Sequence, residues 1–186
     1  MLILDSAMRL EEALADNPAL PCPPDIRAMQ EFFPVRYYSF DGNLHEGQIV
    51  VDKRLVSDIA RVFIAMEREK FPIASAIPVS DAKIAWSDDV SMDLNNTSAF
   101  NYRPITGGGM KVSAHALGQA IDINPRLNPY ISRAGVVSPS GAVRDTLKPG
   151  TILEDSFLVR LFDSLGWEWG GWWTDRIDWH HFEKRL

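Results

Sequence analysis

The chain has one cysteine, Cys22, set in the proline-rich stretch "PCPPD". A single thiol excludes an internal disulfide and a multi-cysteine zinc site, so any metal would rest on His, Asp or Glu. Histidine is scarce as well: His45, His115, His180 and His181 are the full set. No apolar stretch approaches the roughly 18–20 residues of a membrane-spanning helix. The N-terminus, "MLILDSAMRLEEALADNP", has neither the basic start nor the unbroken apolar run of a secretory leader. Basic excess is also missing. A net charge of −6 argues against nucleic acid or an anionic membrane as a partner.

What is present suffices for one domain with its own core: 186 residues, 46% of them apolar and 24% charged. In residues 6–16, Met8, Leu10, Ala13 and Leu14 recur at helical spacing behind Ser6, a suitable N-cap. "NPALPCPPD" then breaks the pattern, so residues 1–34 are expected to be a helix and a proline-rich arm, and 35–186 a single domain. Residues 35–52 read as a hairpin turning at Asp41-Gly42-Asn43. Residues 54–69 carry Leu55, Ile59, Val62, Phe63 and Met66 as one helical stripe. "FPIASAIPV", "TSAFNYRPI" and "QAIDIN" read as strands, the last with Ala120 and Asp122 on one face and Ile121 and Ile123 on the other. Residues 125–150 form a long connection, residues 154–165 a second amphipathic helix stopped at Gly166, and the aromatic-rich tail ends in a strand. Two main helices packed on an antiparallel sheet make the expected fold class α+β.

The chemistry concentrates in two stretches, "SAHALGQAID" and "DWHHFE". A zinc site with one position open for water needs three ligands drawn from neutral imidazoles and a carboxylate. His115, Asp122 and one of the two terminal histidines supply that set, with Asp178 left over as a carboxylate able to take a proton. Residues seven apart on a continuous strand face opposite ways, so His115 and Asp122 meet only if the chain bends, and Gly118 is the natural bend. Strand alternation from Asp178 favours His180 as third ligand, and the residues by themselves leave His181 open. The glycine-rich "TGGGMK" lacks the GK[ST] of a phosphate loop and reads as a mobile rim loop. The tryptophans at 167, 169, 172 and 173 read as core packing and as a frame for the cleft, and His45 as structural. Glu183 reads as a surface group or as a support behind a ligand.

Together these residues resemble a family of zinc peptidases that cut bacterial cell-wall peptides: D-alanyl-D-alanine carboxypeptidases and dipeptidases, and L-alanyl-D-glutamate endopeptidases. "SAHALGQAID" fills every fixed position of the S-x-H-x-x-G-x-A-x-D signature with Ser113, His115, Gly118, Ala120 and Asp122, and "DWHHFE" meets the second, D-x-x-H. "GWEWGGWW" resembles the W-G-G stretch of the carboxypeptidase and endopeptidase branches, and "NTSAFNYRPITGG" the segment carrying the family's arginine. The resemblance runs from about residue 45 to the end of the chain.

It implies one zinc ion on His115, Asp122 and His181, in a cleft on the sheet of a hedgehog-type D,D-peptidase fold, with a kink after Asp178. It also implies Asp178 as general base and later acid, Arg103 holding an oxyanion or a substrate carboxylate, and Ser113 bonding the substrate near the metal. The expected partner is a peptidoglycan stem peptide or muropeptide, handled by a monomer outside the cytoplasm. A cytosolic enzyme for recycled muropeptides is the alternative raised by the missing leader. The alternative of another class is a non-catalytic zinc-binding module, against which Asp178 and Arg103 both argue.

Overall fold

A computed structural model of the protein describes residues 1–104 and 112–186; the "TGGGMK" stretch lies outside the described residues. Strand β1 (Leu2–Leu4) and the short helices α1 (Leu10–Ala13) and α2 (Pro24–Arg27) precede a long hairpin of β2 (Gln30–Tyr38) and β3 (Leu44–Asp52). Its turn stands where expected: the Asp41 carboxylate accepts the Asn43 N–H at 2.9 Å, and Gly42 supplies φ +78°. The expected helix over 6–16 shrinks to α1. Residues 2–4 pair in parallel with β3, and the Ser6 hydroxyl donates to Gln48 Oε1 instead of capping. The boundary expected between residues 34 and 35 falls inside β2.

His45, on β3, sits between two carboxylates: Nδ1 lies 2.9 Å from Asp5 Oδ2 and Nε2 3.2 Å from Asp41 Oδ1. Burial disfavours its charged form, but the bonds to Asp5 and Asp41 outweigh this and raise its pKa above 6.5. A raised histidine pKa contributes stability fully present below 6.5 and lost as pH climbs through the higher folded value. The melting temperature should therefore fall on titration from pH 6 to pH 9, and His45→Gln should flatten that slope in a calorimetric series.

Helix α3 (Val56–Arg68) follows, burying Ile59, Val62, Phe63 and Met66 against the hairpin. After it come β4 (Ser75–Ala76), α4 (Asp88–Asp93) and β5 (Asn96–Thr97). The expected strand "FPIASAIPV" is thus reduced to the two paired residues of β4, and of "TSAFNYRPI" only Thr97 lies in β5, with isolated bridges at Ser98 and Pro104 among the described residues. Side chains take over the rest of the pairing: Asn96 bonds both the N–H and the C=O of Ile77. A 3-10 turn, His115–Leu117, leads into β6 (Ala120–Asp122); β7 (Tyr130–Ile131) and β8 (Val137–Ser138) punctuate the long connection. Helix α5 (Phe157–Ser164) is capped by the Ser156 hydroxyl, and Gly166 (φ +79°) follows its end. The tail contributes β9 (Glu168–Trp169), a 3-10 turn at Gly170–Trp172, β10 (Ile177–Asp178) and β11 (His181–Glu183).

The fold mixes α and β, with the strands spread over several small sheets, β1-β3-β2, β10-β7-β8, β6-β11-β9 and the pair β4-β5, in place of one antiparallel sheet. The third of these carries the chemistry. Helices α3 and α5 pack together beneath it, and Phe182 stacks on Phe162 of α5 with ring centroids 3.9 Å apart. Because strand residues alternate, burying Phe182 and Ile121 in the core turns His181, Glu183 and Asp122 to the opposite face. No helix among the described residues is long and apolar enough to cross a membrane.

Candidate metal centre and proton acceptor

Sheet register explains why two of the candidate ligands meet. In the antiparallel pair β6–β11, His181 lies directly opposite Asp122, and its Nδ1 is 2.9 Å from Asp122 Oδ1. His115 arrives from the 3-10 turn, brought round by Gly118 at φ +67°. Its Nε2 is 3.1 Å from Asp122 Oδ2 and 3.1 Å from His181 Nδ1. All three residues are buried. Among the described residues they are the one group of three or more His, Cys, Asp or Glu whose ligand atoms converge.

Outer partners decide which ring nitrogens face inward. His115 Nδ1–H donates to the Ala99 carbonyl at 2.6 Å, so Nε2 presents a lone pair to the cluster. The other nitrogen of His181, Nε2, donates to Glu183 Oε2 at 3.1 Å, which would leave Nδ1 to a metal once the proton it shares with Asp122 is displaced. Glu183 is braced in turn by Arg185 Nε at 2.8 Å. Burial alone would raise the Glu183 pKa, but its bonds to His181 and Arg185 hold it at about 2. Burial opposes charge on Asp122 too, and the charge and hydrogen bonds of the histidines around it, His115 foremost, nevertheless keep its carboxyl well below the usual range in the metal-free protein.

Burial opposes charge on His181, yet its bonds to Asp122 and Glu183 raise its pKa to about 10, so without a metal a proton bridges Nδ1 and Asp122. A metal bound here would displace that proton and meet three ligand atoms at one point. Zn–N and Zn–O bonds of about 2.0–2.2 Å in a tetrahedron set the ligand atoms about 3.3–3.6 Å apart. The separations here, 2.9 to 3.1 Å with His115 and His181 on different oxygens of Asp122, are hydrogen-bond lengths that would open by a few tenths of an ångström around an ion. Glu183→Gln should leave the fold intact and weaken zinc binding about 10- to 100-fold, read by competition with a chromogenic chelator.

Asp178 stands on β10, which belongs to a different sheet from β11. The chain kinks at Trp179–His180, so simple alternation from Asp178 does not reach the ligand face. His180 consequently points elsewhere: its Nδ1–H donates to the Asn128 carbonyl at 2.7 Å, and its Nε2 lies 3.0 Å from Asp178 Oδ1 and 3.9 Å from Asp122 Oδ2. Asp178 Oδ1 is buried and has no hydrogen-bond partner among the described residues, and burial raises the carboxyl's pKa. A buried, uncommitted carboxylate oxygen beside a ligand cluster is chemically a proton acceptor in waiting.

The glycine pair in "WGGWW" makes room for this arrangement. A Cβ on Gly170 would sit 2.7 Å from the Asp178 carbonyl oxygen, and one on Gly171 2.4 Å from the Trp169 ring. Trp167 and Trp169 are buried in the core, Trp173 packs against the His181 ring at 5.3 Å between centroids, and Trp172 is exposed.

Two other candidates lie apart from the cluster. The guanidinium of Arg103 pairs with Asp88 on α4 at 2.8 Å, and its buried Nε has no partner among the described residues. The Ser113 hydroxyl accepts the His115 N–H at 3.3 Å, tying down the turn that carries the ligand. Sequence reasoning missed Ala99 and Asn128. Both act through main-chain carbonyls, which every residue type offers, so no sequence signal marks them.

Residues 106–184 match the family model described as D-alanyl-D-alanine carboxypeptidase. The matched stretch takes in Ser113, His115, Asp122, Asp178, His181 and Glu183 and leaves out Arg103. No curated protein and no solved structure matches the chain.

Proposed function

We propose that this chain, whose residues 106–184 match the D-alanyl-D-alanine carboxypeptidase family, is a zinc-dependent peptidase that removes the terminal D-alanine from peptidoglycan stem peptides. The observation that carries the reading is the convergence of three ligand atoms, on His115, Asp122 and His181, next to a carboxylate oxygen of Asp178 that has no hydrogen-bond partner among the described residues. When bound there, zinc supplies a Lewis acid that acidifies water and polarises a carbonyl.

The protein's own groups do the rest. His115 and His181 enter as neutral imidazoles because Ala99 and Glu183 hold their other nitrogens. Asp178 accepts the proton of the attacking water at Oδ1 and returns it to the departing amine, so no net proton is consumed at the carboxylate. Arg103, with an unpartnered Nε and a fork already oriented by Asp88, is suited to a terminal carboxylate or to the developing oxyanion. Ser113 acts at one remove, by fixing the His115 backbone. Residues 35–186 form the peptidase domain, and the substrate puts its action in the cell wall, outside the cytoplasm.

Mass spectrometry of a defined stem pentapeptide incubated with the zinc-loaded protein tests the assignment. Loss of one C-terminal alanine, abolished by a chelator and restored by zinc, is the expected result. Release of the N-terminal alanine instead would make the protein an L-alanyl-D-glutamate endopeptidase, and an intact peptide would reduce it to a zinc-binding module.

A further inference from the structure

His180 is buried, belongs to no converging ligand group, and has no part in the chemistry assigned above. We infer that it is a positioning residue for Asp178, an inference that rests on Asp178 being the proton acceptor.

The ring is fixed from behind. Its Nδ1–H donates to the Asn128 carbonyl at 2.7 Å. Asn128 is immobilised in turn: its Nδ2 donates to the carbonyls of Ile123, Asn124 and Gly150 at 3.0–3.2 Å, and its Oδ1 accepts the Ile152 N–H at 2.7 Å. A ring so anchored presents Nε2 at one place, 3.0 Å from Asp178 Oδ1. Among the described residues this is the polar contact made by the Asp178 side chain.

The approach lies off the hydrogen-bonding direction, so that Oδ1 has no hydrogen-bond partner among the described residues despite the short distance. His180 thus blocks rotation of the carboxylate without consuming the lone pair that must face the water. The backbone of Gly170 also crowds this side chain at its root, where a Cβ would stand 2.8 Å from Asp178 Cβ.

Two replacements separate the two ends of the ring. In His180→Asn the amide nitrogen takes the place of Nδ1, keeping the Asn128 contact and losing the one to Asp178; in His180→Gln it takes the place of Nε2. For the zinc-loaded full chain, His180→Asn should lower kcat about 10- to 100-fold with KM and zinc affinity nearly unchanged, and His180→Gln should recover most of it. Crystals of zinc-loaded His180→Asn should show the Asp178 carboxylate in more than one rotamer.

Unchanged kcat in His180→Asn, equal losses in both variants, or a single unmoved Asp178 rotamer would overturn the inference. So would a tenfold loss of zinc affinity, which would make His180 a ligand. An inactive zinc-loaded wild type would instead sink the peptidase reading, and the Asp178 rotamer would still decide for or against positioning.

Discussion

Asp178→Asn should abolish hydrolysis and leave the metal in place. The amide keeps the shape of the carboxylate and cannot take a proton at neutral pH, so general-base catalysis is lost while the three ligands, which come from other positions, remain. Positioned acid–base groups contribute about 10²- to 10⁴-fold, so kcat/KM should fall on the order of 1,000-fold, about 4 kcal/mol of transition-state stabilisation. Zinc content by elemental analysis should stay at that of the wild type. Stability should move the other way. Burial raises the Asp178 pKa, which means that the folded protein disfavours its charge. A neutral amide removes that cost, so the metal-free variant should melt no lower than the metal-free wild type. Activity and stability parting in opposite directions marks a group kept for chemistry. Wild-type turnover, or loss of zinc, would refute the role.

The stretches that announced themselves in the sequence are those whose structure is decided locally. The stripe Leu55, Ile59, Val62, Phe63, Met66 became α3, and "DGN" between two alternating runs became the hairpin turn, because helix period and turn chemistry are properties of adjacent residues. "FPIASAIPV" and "TSAFNYRPI" misled, since an apolar run does not say whether its backbone groups will meet another strand or a side chain such as Asn96. Residues 6–16 misled similarly: Asp5 and Ser6 are claimed by long-range partners, Tyr37, His45 and Gln48. In the site, spacing and Gly118 only allowed His115 and Asp122 to meet, and resemblance to the S-x-H-x-x-G-x-A-x-D signature selected them. The choice between His180 and His181 was not legible by alternation, because Asp178 and His181 sit on strands of different sheets. Resemblance to the D-x-x-H pattern selected His181, the residue that register brings opposite Asp122.

Gly118 carries the other large effect, and Gly118→Ala should cost more than about 3 kcal/mol, roughly 10 °C in melting temperature for a chain of this size. Part of that is conformational: at φ +67° an alanine sits in the left-handed region, at about 1 kcal/mol. The larger part is collision. The added carbon would lie 2.1 Å from Gln30 Oε1, 2.5 Å from the Asp52 nitrogen and 3.0 Å from the Val51 carbonyl carbon, and the last two are main chain of β3 that cannot swing aside. The Asp52 N–H is also bonded to the Gly118 carbonyl at 2.9 Å, so relief by moving the turn breaks that bond too. Such movement would carry His115, three residues upstream, away from Asp122, and zinc affinity should fall with stability. Gly42→Ala is the control. Its φ of +78° imposes the same conformational cost with no atom within 4 Å of the new carbon, so it should lose about 1 kcal/mol and bind zinc normally. Equal losses in the two variants, or undiminished zinc binding by a destabilised Gly118→Ala, would show that the close approach to β3 does not hold the ligand turn in place.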